Sequence, residues 1–291
     1  MSKKNIQLFQ HHFSAMGCPC VFHFYSTADA VKSLFKLCEQ EVMRFHKKYS
    51  RYDKNSALSQ INHQAGTSVK LDKETAAIID YADKAYTLSD GLFDITSAVF
   101  RSIWDFKNDL IPKQKDIDAL LPYVGWDKVE WQNTHLRLPK KMQIDFGGIV
   151  KEYAADVVAN KARHLGVEQG LVDLGGDLAV IGAHPSGKPW NIGIRDPEAP
   201  SQIKAEINIL QGGLATSGDY ERFFIMDNKR YCHIINPKTG WPAQGVAGVS
   251  VMAPLCVLAG TLSTVAMLKG NLEGHQFLKA LELPYLLFER L

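Results

Sequence analysis

The sequence predicts an α+β fold, with mixed or antiparallel sheets and flanking helices. Three observations carry this. Segments of strand length and alternating apolar character follow one another directly over much of the second half of the chain, an order that favours α+β over a doubly wound sheet. Segments with apolar residues at i, i+3, i+4 and i+7 are few and long. The composition, 46% hydrophobic and 22% charged over 291 residues, is that of a globular chain able to bury a sizeable core.

Taken in order, residues 20–25 are short, apolar and aromatic and read as a strand. Val31, Leu34, Phe35, Cys38, Val42, Phe45 and Tyr49 keep helical spacing. Residues 50–66 are polar and irregular and read as a loop. Residues 72–88 read as a helix, with Asp72 as N-cap and Gly91 beyond the end. Residues 129–138 read as a hairpin turning at Asn133–Thr134. Residues 143–146 read as a short strand running into Gly147–Gly148, followed by a helix carrying Tyr153, Val157, Val158 and Leu165. Residues 171–182 and 190–195 read as strands parted by a Pro/Gly turn. Further strands are expected at 203–209, 223–226, 231–235, 246–252 and 285–289, and a helix at 257–268 ending at Gly270. No repeat or low-complexity segment interrupts residues 1–291, which read as one domain or as two intimately packed lobes.

The 33 basic and 31 acidic residues leave a net charge of +2. No basic face stands out, which argues against nucleic acid as a partner. The five cysteines, Cys18, Cys20, Cys38, Cys232 and Cys256, are odd in number and irregularly spaced, so they read as free thiols in a reducing compartment. The first residues lack a long apolar core and no apolar run reaches 18 residues. A secretory signal and a membrane span are therefore not expected, and a cytoplasmic location is.

Five clusters break the pattern of a plain core. In residues 145–156, DFGGIVKEYAAD, a carboxylate precedes two glycines and a helix start with Lys151 in its first turn. Glycines allow close approach to a ligand, and unpaired N–H groups there suit an anion such as pyrophosphate. A tight turn with Lys151 in solvent would look the same. In residues 171–182, LVDLGGDLAVIG, Asp173 and Asp177 flank Gly175–Gly176 within an apolar strand, a bend or a polar site. Thr216, Ser217 and Gly218 are small and polar, fit to line a phosphate or sugar. His233 lies on a strand before the polar turn 236–240. Ser263 and Thr264 are hydroxyls in an apolar helix, where bonding back to the preceding turn is the usual use. No nucleophile elbow, Walker A loop, HExxH helix or G-x-G-x-x-G fingerprint is present.

In this order, with Met16–Gly17, SRYDKNSALSQIN at 50–62, GLFDIT at 91–96, SGDY at 217–220 and HIINPKTG at 233–240, the clusters resemble the FAD:protein FMN transferases, the ApbE-type flavin transferases. The match runs from Met16 to Gly270. The resemblance implies an ApbE-like α+β fold that binds FAD as substrate beside Mg2+. It implies FAD contacts from Met16, Tyr52, Leu92, Phe93, Asp94, Asp145, Lys151 and Ile234. It further implies metal ligation at the Gly148 carbonyl and at Ser263 and Thr264. The reaction implied is transfer of FMN from FAD to a Thr or Ser hydroxyl of an acceptor redox flavoprotein, with release of AMP. His233 is the candidate base by residue type and family position. Two positions depart from the family pattern. Gly260 stands four residues before Thr264, where an Asp metal ligand is usual, and Glu152 follows Lys151, where Gly is common. The first departure predicts a weak metal site that Gly260→Asp would restore. A carrier or sensor that holds FAD without transferring it, and an Mg2+-dependent FAD hydrolase giving FMN and AMP, are the competing readings.

Overall fold

The computed structural model describes residues 6–199 and 201–290. Strands β1 (Gln7–Ala15) and β2 (Cys18–Ser26) open the chain as a hairpin. Its two-residue turn has positive φ at both Met16 (52°) and Gly17 (77°), the geometry that matches strand twist. Helix α1 (Ala28–Lys48) buries Val31, Leu34, Phe35, Cys38, Val42 and Phe45, the expected stripe. Helix α2 (Ala57–His63) then lies within residues expected to form a loop. Ser56 starts it by accepting the Ser59 N–H, and Leu58 and Ile61 anchor it in the core. After β3 (Ser68–Lys70), helix α3 (Lys73–Leu88) begins at Asp72, whose carboxylate accepts the Glu74 and Thr75 N–H groups. A 3-10 helix spans Ile95–Ser102, α4 spans Gln114–Leu120, and the hairpin β4 (Glu130–Gln132) to β5 (His135–Arg137) turns at Asn133–Thr134 as expected.

Residues 143–146 are not a strand. The Asn62 side-chain amide takes both backbone groups of Ile144, donating to its carbonyl at 2.9 Å and accepting its N–H at 2.8 Å. One side chain thus satisfies the groups that a neighbouring strand would otherwise pair. Helix α5 (Val150–His164) follows. The apolar run 171–182 proves to be two strands, β6 (Gly170–Leu174) and β7 (Asp177–Gly182), folded back at Gly175–Gly176. A Cβ on Gly175 would lie 2.7 Å from the Cys18 sulfur, so this turn closes against β2 only with glycine.

The remaining elements are β8 (Trp190–Arg195), β9 (Ile203–Ile209), β10 (Gly213–Gly218), β11 (Phe223–Met226), β12 (Lys229–Cys232), β13 (Val246–Ala253), α6 (Cys256–Lys269), α7 (Asn271–Ala280) and β14 (Tyr285–Glu289). The first strand, β3, α4, β10 and α7 had no counterpart in the expected pattern, and β12 ends one residue before His233. The main sheet has seven strands in the order β1-β2-β6-β7-β10-β13-β14, every neighbour antiparallel.

Side chains alternate across this sheet. Val172, Leu174, Ala179, Ile181 and Ala215 join the core formed with α1, α5 and α6. Their neighbours Leu171, Leu178, Val180 and Leu214 pack on the opposite face against Trp190, Ile194 and Ile209 of the β8–β9 hairpin. Burial on both faces explains the nearly unbroken apolar runs of β6 and β7. A third cluster, around Phe100, Trp104, Ile117, Phe224 and Tyr231, supports the β11–β12 hairpin. Among the described residues no helix is long and apolar enough to cross a membrane, and all five cysteines are free.

Candidate active site

Helices α5 and α6 pack on each other in antiparallel register, and the register is readable from two contacts. Asp156 on α5 accepts the N–H groups of Cys256 and Val257 at 2.9 Å each. It thereby caps a helix whose own N-cap, Leu255, has no side chain able to do so. One turn back along α5, Glu152 meets Gly260, one turn further along α6. A Cβ built on Gly260 would lie 2.7 Å from Glu152 Cγ and 3.0 Å from its Oε1. The space a side chain at 260 would use is filled by the Glu152 carboxyl group.

Glu152 is buried, at 8% exposure, and its Oε2 has no hydrogen-bond partner. Burial, with the neighbouring Asp177 carboxylate, pushes its pKa up to about 8. The two carboxyl groups can bond each other only when one carries a proton; as ionised groups neither donates, and Oε2 is stranded. Asp177, almost fully buried, forms an ion pair with the Lys151 ammonium and accepts the Thr216 N–H at 3.2 Å. Burial works against the Lys151 charge, but Asp177 and then Glu152 outweigh it and hold its pKa above the ordinary lysine value. Three hydroxyls complete this nest. Ser217 Oγ lies 2.7 Å from Ser263 Oγ and 3.0 Å from Thr264 Oγ1, and Ser263 Oγ donates to the Gly260 carbonyl at 3.0 Å.

Beside the nest stands a group of cations. Asp145 takes Arg51 at 2.9 Å and Arg101 at 3.7 Å, and its other oxygen accepts the Gly147 N–H. Arg51 also stacks on Tyr52, with 4.8 Å from guanidinium carbon to ring centroid, and donates to its hydroxyl at 2.7 Å. Tyr52 is 82% exposed, a ring held in place with a face open to solvent. Arg222 lies under the β1–β2 turn, where a Cβ on Gly17 would meet its Nη2 at 3.3 Å. Its carbonyl accepts the His233 N–H at 3.0 Å. Burial, then the charges of Arg222, Lys151 and Arg51, push the His233 pKa down to about 4, and its Nδ1 is buried without a partner.

Arg51 thus joins Tyr52 to Asp145, and Arg222 joins His233 to the Met16–Gly17 turn, while Asp177 holds Lys151 and Ser217 holds Ser263 and Thr264. Ile234 is half-buried just after His233, its carbonyl accepting the Ala243 N–H. Leu92 is half-buried, while Phe93 is buried beneath Gly148, its ring 3.4 Å from where a Gly148 Cβ would be. Asp94 faces inward: Oδ1 accepts the Thr96 N–H and hydroxyl, and Oδ2 accepts the Trp126 N–H. It fixes the 3-10 helix start rather than presenting a free carboxylate. Lys151 is likewise engaged with Asp177, not free in solvent. Sequence reasoning missed Arg51, Arg101 and Arg222, since single arginines carry no spacing signal; it singled out Ser217 as a lining residue but not its bonds to Ser263 and Thr264. Arg51 had one available cue, its place beside Tyr52.

Among the described residues no group of three or more His, Cys, Asp or Glu side chains is arranged to hold a metal. The donors of the nest are two carboxylates, three hydroxyls and backbone carbonyls. Such an all-oxygen set suits a hard cation that keeps water or substrate phosphates in its shell.

Antiparallel α+β architecture, a glycine-opened helix start and arginines beside a nest of oxygen donors describe the class of protein to which this chain is similar. The chain belongs to the ApbE family, whose model matches residues 16–287. It is 30% identical to the FAD:protein FMN transferase of Vibrio cholerae over 248 residues, 82% of this chain and 74% of that one. It is 32% identical to the Chlamydia pneumoniae FAD:protein FMN transferase over 254 residues, 83% and 79% of the two chains. The crystal structure of the Thermotoga maritima ApbE protein superposes with a TM-score of 0.91 at 29% identity, covering 97% of this chain and 94% of that one. The apo Pseudomonas stutzeri flavinyl transferase ApbE gives 0.87 at 26% identity, covering 98% and 92%.

Proposed function

We propose that this chain, acting as one domain, transfers FMN from FAD to a Thr or Ser hydroxyl of an acceptor redox flavoprotein and releases AMP. The observation that carries this reading is the convergence of Arg51, Lys151 and Arg222 on His233 beside the oxygen-lined nest. A pyrophosphate needs cations, and a transferred hydroxyl proton needs a neutral base close by. Curated relatives at 30–32% identity carry the same activity in their names, which supports it.

The exposed Tyr52 ring offers a stacking face for an aromatic part of FAD. Arg51 and Arg222 would balance the pyrophosphate charge, and the N–H groups at the start of α5 would add to them. The Gly148 carbonyl and the hydroxyls of Ser263 and Thr264 would hold Mg2+, and the unpartnered Glu152 oxygen supports a cation in that pocket. Bound there, Mg2+ would offset charge on the pyrophosphate as the phosphorus–oxygen bond breaks. His233 is neutral at physiological pH, so its imidazole is free to take the acceptor proton. The acceptor oxygen then bonds to the FMN phosphorus, and the bond to AMP breaks with the electron pair leaving on AMP.

The test is incubation with FAD, Mg2+ and an acceptor domain bearing a Thr or Ser site. Covalent flavin on the acceptor with equimolar AMP is the expected result. Free FMN and AMP without acceptor modification would make the chain a hydrolase, and unchanged FAD would make it a carrier.

A further inference from the structure

Glu152 is an unusual residue for the middle of a helix-helix contact. Its carboxyl group is buried between α5 and α6, one oxygen is unpaired, and a second carboxylate, Asp177, stands beside it. Removing a carboxylate from water without partners is costly, and the fold has not relieved that cost with a cation of its own. The nearby Lys151 ammonium is spent on Asp177. Nor has the fold avoided it by excluding the side chain. Gly260 is the residue opposite, and its missing Cβ leaves the volume in which the carboxyl group sits.

The position of this group is specific. Gly260 and Thr264 lie one turn apart on the same face of α6, so the Glu152 carboxylate lies one turn from the Thr264 hydroxyl. Along α5 it stands four residues on from Gly148, at the end where the backbone is opened by Gly147–Gly148. Ser217 ties the Ser263 and Thr264 hydroxyls together on the third side, from β10. An unpaired carboxyl oxygen, one that a cation would hold in the ionised form, thus sits among neutral oxygen donors, in the one place on α6 where no side chain competes with it.

We infer that Glu152 is the anionic ligand of the divalent-cation site, delivered from α5 across the gap left by Gly260. This rests on the reading that the nest holds Mg2+ with FAD. A side chain at 260 and Glu152 in its present place exclude each other. Gly260→Asp alone therefore does not restore a metal site; it displaces the ligand already there and puts a third carboxyl group against Glu152 and Asp177.

The test is Mn2+ binding, followed by electron paramagnetic resonance with FAD present and acceptor absent, alongside FAD affinity without metal and the melting temperature. Glu152→Gln keeps the shape and can still donate to Asp177, but it has no charge. Loss of even an outer partner of a metal ligand costs about 10–100-fold in affinity, so loss of the carboxylate should weaken Mn2+ binding at least about tenfold. FAD affinity without metal and the melting temperature should hold. Glu152→Ala combined with Gly260→Asp should bind Mn2+ more tightly than Glu152→Ala alone, and Gly260→Asp alone should bind it less tightly than the parent. Unchanged Mn2+ affinity in Glu152→Gln overturns the inference, as does tighter binding by the single Gly260→Asp. A parent that binds FAD but no Mn2+ overturns it while leaving flavin recognition standing, and a parent that binds neither overturns both.

Discussion

His233 shows how far a buried environment can move a side chain from its ordinary chemistry. Burial first, and Arg222 second, hold its pKa at about 4, so the ring is a neutral base through the physiological range. A rate limb that reports His233 in the free enzyme should fall near pH 4, not near 6.5; a pH profile of kcat/KM for transfer reads it directly. The same shift has a stability consequence. Between about pH 6.5 and about 4 the unfolded histidine binds a proton that the folded one refuses, so stability falls as pH falls through that window. His233→Gln should flatten that part of the melting-temperature profile. It should also lower transfer by about 10²–10⁴-fold while sparing FAD binding. Lys151 is a different case. Its ammonium neutralises the almost fully buried Asp177, so Lys151→Ala leaves a carboxylate without its partner. Breaking a buried pair costs about 3–5 kcal/mol; since a quarter of the lysine side chain is exposed, the lower end, about 3 kcal/mol, is expected, measured by urea denaturation. The candidacy of Lys151, Asp145 and His233 was legible from residue type, local sequence and the family resemblance. That of the arginines was not, because a guanidinium reaches its target across the fold and leaves no periodic trace.

At the scale of elements, long helices were legible because their apolar stripes repeat. Helix α2 was not, since seven residues with polar neighbours leave little stripe to read. Residues 143–146 carry a strand-like pattern, yet the Asn62 amide supplies the pairing that would have made them one. The hairpin β6–β7 was hidden for a related reason: strands buried on both faces lose their alternation. Helix α6 depends on a cap from outside itself. Asp156→Ala should strip both bonds from its first turn and lower stability by about 1–2 kcal/mol, seen as a drop in melting temperature of a few degrees. Transfer activity should fall with it, because Gly260, Ser263 and Thr264 all ride on that helix.

Across the whole molecule, the antiparallel sheet is the frame on which the site is hung. Strand β10 brings Ser217, β7 brings Asp177, and the α5–α6 pair brings the rest. The α+β class was legible from the run of consecutive strands, whereas the strand order, with β14 closing the edge beside β13, depends on contacts distant in sequence. Residues 285–290 do more than end the sheet. Arg290 makes two bonds to the buried Asp219, and β14 pairs with the outer edge of the almost wholly buried β13. Deleting residues 285–290 should expose that edge and leave Asp219 short of its main partner. The expected outcome is loss of soluble protein on expression, read by comparing soluble and pelleted fractions with the parent.

Where the Glu152 carboxyl group stands, it fills the volume that a side chain at 260 would take. The two positions are therefore not independent: a substitution at either is felt through the other, and single and double variants should give non-additive changes in melting temperature, the mark of two side chains competing for one space.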